Sequence, residues 1–258
     1  MKSMGKLCAG FLRPALILTA AVVAAAVPTA ALEGRPGEAK GVHASSASAA
    51  GWEKSRLGSI DQRVLSLALN AAGCAVQSGK VTSPGTLTVI DYTKPSTQKR
   101  LWVLDLRTHT LLFEELVAHG QGSGNNIPTL FSNENETHRS SIGLFETRDT
   151  YVGKNGYSLR LEGLDVGFND HAMERAIVMH GARYVSDTIV RAQGRLGRSW
   201  GCPAVRETVA HDLIDTVKGS GLVFAYYPDP KWLASSQFLG NCDGNPGATG
   251  VTPVVTTG

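Results

Sequence analysis

Apolar and polar positions follow two different patterns along this 258-residue chain. Over residues 60–77 apolar side chains recur at helical spacing, Ser59 and Gln62 match a capping box, and Gly79 follows the predicted end. After Pro84 the pattern changes to short runs rich in Val, Leu, Phe and Tyr, which are typical of strands. The predicted strands are 86–92, 100–106, 111–119, 141–147, 157–163, 176–181 and 222–227.

Two further helices are predicted near residues 184–193 and 206–218, and residues 107–110 are short enough for a hairpin turn. Residues 120–141 are polar with little apolar periodicity, and loops of this length in compact domains are usually functional or disordered. Helices do not alternate regularly with the strands, so a doubly wound parallel sheet is not expected. The pattern predicts one mainly β domain with flanking helices over residues 59–233.

The first 31 residues have the pattern of a secretory signal peptide. Lys2, Lys6 and Arg13 precede an apolar run over 15–27, and small residues follow it before Leu32. This run is shorter than the roughly 20 residues that span a bilayer. We therefore predict export to the periplasm or another extracytoplasmic compartment, with no stable membrane span after cleavage; an uncleaved anchor is the alternative.

Segments of small and polar residues flank the predicted domain. Residues 32–58 include an Ala-, Ser- and Gly-rich stretch and are predicted to be a flexible linker, and residues 234–258 are predicted to be a disordered tail. Cleavage after residue 31 would remove three of the 25 basic side chains, leaving 22 against 22 acidic ones. Without net charge after cleavage, the chain offers no indication of a nucleic-acid partner.

Three cysteines follow the predicted signal peptide: Cys74, Cys202 and Cys242. An odd number in an exported protein indicates one free, reactive thiol. A disulfide between Cys74 and Cys242 is one reading, because the compartment is oxidising. The reading we prefer is a buried, unpaired Cys74, since it lies on the apolar face of the predicted helix and Cys242 lies in the predicted tail.

Cys202 lies in a segment rich in glycine and arginine, GRLGRSWGCPAV. Gly201 allows a close approach of the backbone to a substrate, and Pro203 restricts Cys202 to extended conformations. Glycine, arginine and serine do not make an apolar site, so a structural buried thiol is disfavoured. Nearby cations are expected to favour the thiolate and so to make the thiol a nucleophile. The flanking cations are Arg195, Arg198 and Arg206.

His180 is the predicted general base. It follows the apolar run 176–179 and precedes Gly181, so a strand would hold its ring rigidly beside an open position. His119 also closes a predicted strand and is a candidate for the same cleft.

Two competing motifs are weaker. Residues 197–201 match G-x-S-x-G around Ser199, but no strand precedes them, and the only later histidine, His211, is too close for a separate triad arm. The glycines at 120, 122 and 124 lack the Lys-Ser/Thr of a phosphate loop. No pair of ligands has the spacing of a zinc site, so we predict neither a metal nor a cofactor.

The pair His180-Gly181 and the segment Ser199-Trp200-Gly201-Cys202 resemble the signature of the murein L,D-transpeptidase catalytic-domain family. That family carries His-Gly at a strand end and Ser-x-Gly-Cys further downstream. Segments 87–106, 116–124, 140–147, 156–164 and 175–185 also resemble one branch of it. The resemblance implies a β-sandwich or barrel with a single catalytic domain.

The resemblance also implies a thioester mechanism on peptidoglycan stem peptides. Cys202 would attack the carbonyl before the terminal D-Ala of a tetrapeptide stem. His180 would take the thiol proton, or already hold it in an ion pair with the thiolate, and would pass it to the departing D-Ala. The carbonyl of Gly181 would orient the imidazole, and the N–H groups of Gly201 and Cys202 would form the oxyanion hole. An amine of a neighbouring stem would then resolve the thioester into a cross-link between two stems.

The chain departs from the commoner family pattern at two positions. Trp200 stands where many members have histidine, and Ala204 where many have a basic or amide residue. We therefore predict that Arg195 and Arg198 make the contacts to a substrate carboxylate in place of those two residue types. The predicted substrate-binding residues are Ser199, Trp200, Arg198, Arg195 and His119.

Three alternatives remain at this point. Water in place of the amine would make the protein an L,D-carboxypeptidase on the same scaffold. A dead site would leave a peptidoglycan-binding module, which the joint presence of His180, Ser199 and Cys202 disfavours. A cell-wall lipoprotein is the alternative acceptor.

Overall fold

The computed structural model describes residue 52, residues 57–240 and residue 242. The predicted signal peptide, most of the linker and most of the tail lie outside the described residues. Among the helices of the described part, none combines the length and the hydropathy that a membrane span requires.

Eight strands and four α-helices follow one another along this part of the chain. Their bounds are α1 Gln62–Gln77, β1 Thr86–Asp91, β2 Leu101–Asp105, β3 Thr110–Glu115, β4 Gly143–Gly153, β5 Gly156–Gly163, β6 Val178–Ala182, α2 Asp187–Gln193, β7 Ala204–Arg206, α3 Glu207–Val217, β8 Leu222–Tyr226 and α4 Pro230–Ser235, with a 3₁₀ turn at Gln121–Ser123.

The strands form one mixed sheet in the order β3-β2-β1-β8-β4-β5-β6-β7. Two neighbouring pairs are parallel, β1 with β8 and β6 with β7, and the others are antiparallel. Beyond β3 the chain reaches the opposite edge, where the N–H of Ala118 donates to the carbonyl of Ala204 at 2.8 Å. The sheet is therefore nearly closed and barrel-like, and the predicted mainly β fold with flanking helices is confirmed.

Apolar side chains pack on both faces of the central strands. In β1, Leu87 and Val89 contact the cluster under α1, whereas Ile90 belongs to a second cluster that includes α3 residues such as Leu213. Strands buried on both faces read as continuous apolar runs, which is why β1, β2 and β8 are visible in the sequence. The two layers hold the strand ends that carry the candidate site.

The N-cap of helix α1 lies two residues after Ser59, where the sequence suggested a capping box. The Asp61 carboxylate accepts from the N–H groups of Arg63 and Val64 at 2.8 and 3.2 Å, and so is the N-cap. Ser59 instead donates to the carboxylate of Glu114.

The C-terminal prediction was wrong in two respects. Residues 234–240 are packed, with Phe238 buried in the α1 cluster, so disorder does not start at residue 234. Cys74 is not a free thiol, because it forms a disulfide with Cys242 and their Cα atoms lie 5.0 Å apart. Two apolar residues within a polar segment, Phe238 and Leu239, supply the packing that brings Cys242 to the helix.

Candidate active site

The pairing of β6 with β7 places the backbone of His180 next to the two residues that follow Cys202. His180 lies opposite Ala204, two residues beyond Cys202, and its N–H contacts the carbonyl of Pro203 at 3.4 Å. The sulfur of Cys202 accepts from the N–H of Val178 at 3.4 Å, on the strand of His180. Cys202 is half-buried and is the one free cysteine of the described residues.

The buried imidazole of His180 has a defined orientation. Its Nδ1 lies 2.9 Å from the carbonyl oxygen of Gly181, the contact that the sequence analysis expected. Because a carbonyl only accepts, this contact assigns the proton to Nδ1 and leaves Nε2 as an acceptor. Burial lowers the pKa of His180 below its ordinary value, with the Gly181 contact opposing, so the ring is neutral at pH 7.

The electrostatics of the Cys202 thiol differ from the expectation. Burial raises its pKa above the ordinary value, and this effect outweighs the Val178 N–H and the charge of Arg175, which both lower it. The resting sulfur is therefore a protonated thiol, and the predicted lowering of its pKa by flanking cations was wrong.

The three cations that flank Cys202 in sequence have other partners. Arg206 forms an ion pair with Glu115, with N–O distances of 2.8 and 2.6 Å. Arg198 donates through Nη1 to the carbonyl of Gly124 at 2.8 Å, and Arg195 to the carbonyl of Leu196 at 2.7 Å. The cation that acts on the thiol is Arg175, which sequence spacing does not single out because it lies 27 positions before Cys202.

The hydroxyl of Ser199 forms hydrogen bonds within residues 199–202, the nucleophile loop, named for the predicted nucleophile Cys202. It donates to the carbonyl of Cys202 at 2.6 Å and accepts from the N–H of Gly201 at 3.1 Å. This buried position favours a structural role over the predicted substrate contact. Because the Ser199 hydroxyl accepts from the N–H of Gly201, that N–H is not free for the oxyanion hole in which it was predicted. The N–H of Cys202 stays a predicted donor to the oxyanion.

Glycine at position 201 is required by the backbone. Its φ of +121° lies in a region that L side chains rarely adopt. A Cβ there would lie 2.9 Å from the carbonyl oxygen of Arg139 and 3.1 Å from Cδ1 of Ile177. The loop before Cys202 therefore sits directly against the 120–141 segment.

The 120–141 segment, predicted to be functional or disordered, is an ordered wall beside the nucleophile loop. The hydroxyl of Ser140 donates to the carbonyl of Gly201 and accepts from the N–H of Gly120, both at 3.0 Å. The N–H of Ser199 donates to the carbonyl of His119 at 3.0 Å, and the N–H of Gln121 to the carbonyl of Ser199 at 2.8 Å. These bonds fix the wall to the loop at Ser199 and at Gly201.

Trp200 and His119 differ sharply in exposure. Trp200 is 72% exposed and stacks on His138, with ring centroids 4.8 Å apart and an interplanar angle of 12°. His119 is fully buried, and its Nδ1 accepts from Nη2 of Arg100 at 2.8 Å. Burial and the charge of Arg100 lower the pKa of His119 to about 3, so it is a neutral core residue and the cleft role predicted for it was wrong.

A small cavity lies inside the sheet next to Gly201 and Pro203. It has space for about one water molecule, and most of its lining is apolar, including Ile90, Phe145 and Ile177. A peptide does not fit in this cavity.

Comparison with known proteins identifies the family. A family described as L,D-transpeptidase catalytic domain matches residues 57–226, and the chain belongs to it. No curated protein matches the chain.

Solved structures resemble the chain only distantly. An L,D-transpeptidase from Mycobacterium smegmatis has 13% identity and a TM-score of 0.35, with 56% of this chain and 60% of that one covered. An L,D-transpeptidase from Stackebrandtia nassauensis has 16% identity and a TM-score of 0.34, with 62% and 66% covered. The helical cell shape determining protein Pgp2 from Campylobacter jejuni has 12% identity and a TM-score of 0.36, with 56% and 48% covered. The chain thus covers less than two thirds of each of these three structures.

Proposed function

We propose that the protein is a peptidoglycan L,D-transpeptidase that forms a thioester at Cys202 and transfers the acyl group to an amine. One observation carries this proposal. In a chain of the L,D-transpeptidase catalytic-domain family, the β6–β7 pairing lays the segment that follows the free Cys202 beside the strand of His180, whose Nε2 is left as an acceptor by the contact of Nδ1 with Gly181.

The directions of the two pKa shifts favour general-base catalysis over a preformed ion pair. Burial keeps the Cys202 thiol protonated and His180 neutral at rest. The thiol proton would move to Nε2 of His180 as the sulfur attacks the carbonyl before D-Ala. The C–N bond then breaks, and the imidazolium protonates the leaving amine.

The second half of the reaction repeats these steps in reverse. The amine of an acceptor stem attacks the thioester carbonyl, and His180 takes the proton that the amine loses. The C–S bond breaks, and the imidazolium returns a proton to the sulfur of Cys202. Both protons are thus handled by one imidazole, held by the carbonyl of Gly181 at 2.9 Å.

Substrate contacts are proposed at the exposed edge of the nucleophile loop. Trp200 lies two residues before Cys202 and offers an exposed aromatic ring that is stacked on His138. Arg195 and Arg198, both partly exposed, remain our candidates for a substrate carboxylate. An extracytoplasmic location and a lipoprotein as alternative acceptor are part of the same proposal.

Product analysis tests the proposed reaction. Disaccharide-tetrapeptide is incubated with the wild type and with Cys202→Ala, and the products are separated by liquid chromatography and mass spectrometry. A cross-linked dimer and released D-Ala, both absent with Cys202→Ala, are expected. Tripeptide without dimer would replace the transpeptidase with the carboxypeptidase, and unchanged substrate that still co-elutes with the protein would point to the binding module.

A further inference from the structure

The guanidinium of Arg175 is partly buried, and all of its hydrogen-bond acceptors are neutral groups. Its Nη1 donates to the carbonyl of Ser132 at 2.6 Å and to the hydroxyl of Ser141 at 2.5 Å, and Nη2 donates to the carbonyl of Arg139 at 2.7 Å. No ion pair joins it to a carboxylate within the described residues. Its positive charge is therefore held in place without being neutralised.

This charge lies beside the nucleophile loop. A Cβ added to Gly201 would be 3.5 Å from Nη2 of Arg175, and Gly201 directly precedes Cys202. The residue after Arg175, Ala176, places its carbonyl oxygen 3.8 Å from the sulfur. The guanidinium and the thiol thus share one small, partly buried region in which charge interactions are poorly screened.

Arg206, the flanking arginine that follows Cys202, lacks this combination. The charge of Arg206 is balanced by Glu115, which contacts it through both carboxylate oxygens. Arg175 and Cys202 act on each other reciprocally, because each charge favours the ionised form of the other group.

We infer that Arg175 is the cation that stabilises the thiolate of Cys202 while His180 carries its proton. Arg175 is a positioning residue, because it acts through the sulfur and through the wall segment and needs no contact with substrate. The inference rests on the proposed function, since it assumes that Cys202 is the nucleophile. It explains how a half-buried thiol can ionise without the flanking arginines.

The test measures ionisation of the Cys202 thiol without any substrate. The full chain is alkylated with iodoacetamide from about pH 6 to about pH 11, and the rate at Cys202 is read from its peptide by mass spectrometry. The other titratable side chains that interact with the charge of the sulfur are Tyr92 and Tyr184, and His180 lies on the neighbouring strand β6. Burial raises the pKa of both tyrosines, that of Tyr184 to about 12, so both ionise at higher pH than an ordinary tyrosine.

Two substitutions separate charge from packing, and one is a matched control. Arg175→Gln removes the charge and keeps hydrogen-bonding capacity, and Arg175→Lys keeps the charge without the planar fork. The matched control is Arg183→Gln, which removes a positive charge from a side chain that is 92% exposed and directly follows β6.

With Arg175→Gln we expect the midpoint of the alkylation profile to rise by about one pH unit. Near pH 7 the rate should fall only about three- to fourfold, because a thiolate of higher pKa is intrinsically more nucleophilic. Arg175→Lys and Arg183→Gln should move the midpoint by less than about half a unit.

A folded Arg175→Gln variant with an unchanged midpoint would overturn the inference, even if its melting temperature fell. If that variant does not fold, Arg175→Lys decides: a midpoint near the wild-type value supports the role of charge, and a rise of a full unit contradicts it. Because alkylation needs no peptidoglycan, failure of this test is distinguishable from failure of the proposed acyl transfer.

Discussion

At the scale of single residues, burial makes both members of the proposed pair electrically neutral at rest. The pKa of the Cys202 thiol is raised and that of the His180 imidazole is lowered, each chiefly by loss of solvent. A neutral imidazole with Nδ1 bound to Gly181 is a competent base. Cys202 would then ionise only as His180 receives its proton.

This arrangement predicts the acid limb of the pH–rate profile. Because burial lowers the pKa of His180, the base form should persist below the ordinary histidine value of about 6.5. The acid limb of kcat/KM should therefore have an apparent pKa below about 6.5. His119 should not contribute, since its pKa is about 3. An acid limb centred above the ordinary histidine value would contradict a neutral resting pair.

Gly201→Ala tests the close contact between the nucleophile loop and the wall segment. The added Cβ would meet the carbonyl oxygen of Arg139 at 2.9 Å, on a backbone with φ of +121°. We expect activity to be lost and the free energy of unfolding to fall by about 1–3 kcal/mol. Chemical denaturation and turnover measure the two effects.

Gly79→Ala is the matched control for that substitution. Gly79 also has a positive φ, +70°, but a Cβ there meets nothing within 4 Å. It should lower stability by about 1–2 kcal/mol and leave turnover unchanged. Equal loss of turnover in both variants would contradict a specific role for the close contact at Gly201.

At the scale of elements, the site is made by a short parallel pair, β6 with β7, and by the wall segment beside it. Ser199 joins these parts, because its hydroxyl bridges the N–H of Gly201 and the carbonyl of Cys202. Ser140 provides a second link, from the wall to the carbonyl of Gly201. The loop geometry therefore depends on side-chain hydroxyls more than on regular secondary structure.

Ser199→Ala should impair turnover without changing the nucleophile. Two buried hydrogen bonds would be lost, leaving the N–H of Gly201 unpaired, at a cost of about 1–3 kcal/mol of stability. We expect turnover to fall by about 10- to 100-fold, with the acyl group still on Cys202. Ser66→Ala is the control, since that hydroxyl donates to the carbonyl of Gln62 on α1 and lies outside the site. Wild-type turnover in Ser199→Ala would contradict the proposed role.

Most helices and strands could be predicted because their apolar positions extend over enough residues to show helical spacing or a strand-like run. Strand β7 was missed because Ala204–Arg206 is only three residues long and follows Pro203. Strand β4 runs to Gly153, beyond the predicted end at 147, since its outer half is exposed and polar. The Cys-His pair was visible as residue types at strand ends, whereas the position of Arg175 depends on contacts distant in sequence.

At the scale of the whole molecule, the Cys74–Cys242 disulfide closes a loop over 168 positions and joins α1 to the C-terminal segment. The sequence offered this pairing only as an alternative, because neither periodicity nor spacing shows which distant residues meet. The buried ring of Phe238 explains the outcome, since it anchors the chain shortly before Cys242.

Removing this bridge should lower global stability. Cys242→Ser should reduce the free energy of unfolding by about 2–4 kcal/mol, because the unfolded chain regains the freedom of a long loop. Reduction of the disulfide should lower the melting temperature of the wild type as much as the Cys242→Ser substitution does. It should leave the melting temperature of Cys242→Ser unchanged. Unchanged melting temperatures in the oxidised wild type and the variant would contradict a stabilising bridge.

The central claim is that Cys202 is the nucleophile, and intact-protein mass spectrometry tests it most directly. Wild type, Cys202→Ala and Ser199→Ala are each mixed with disaccharide-tetrapeptide and quenched in acid. The account predicts an acyl adduct, with loss of D-Ala, on the wild type and on Ser199→Ala, and none on Cys202→Ala. An adduct that persists in Cys202→Ala and disappears in Ser199→Ala would contradict it and favour the serine nucleophile.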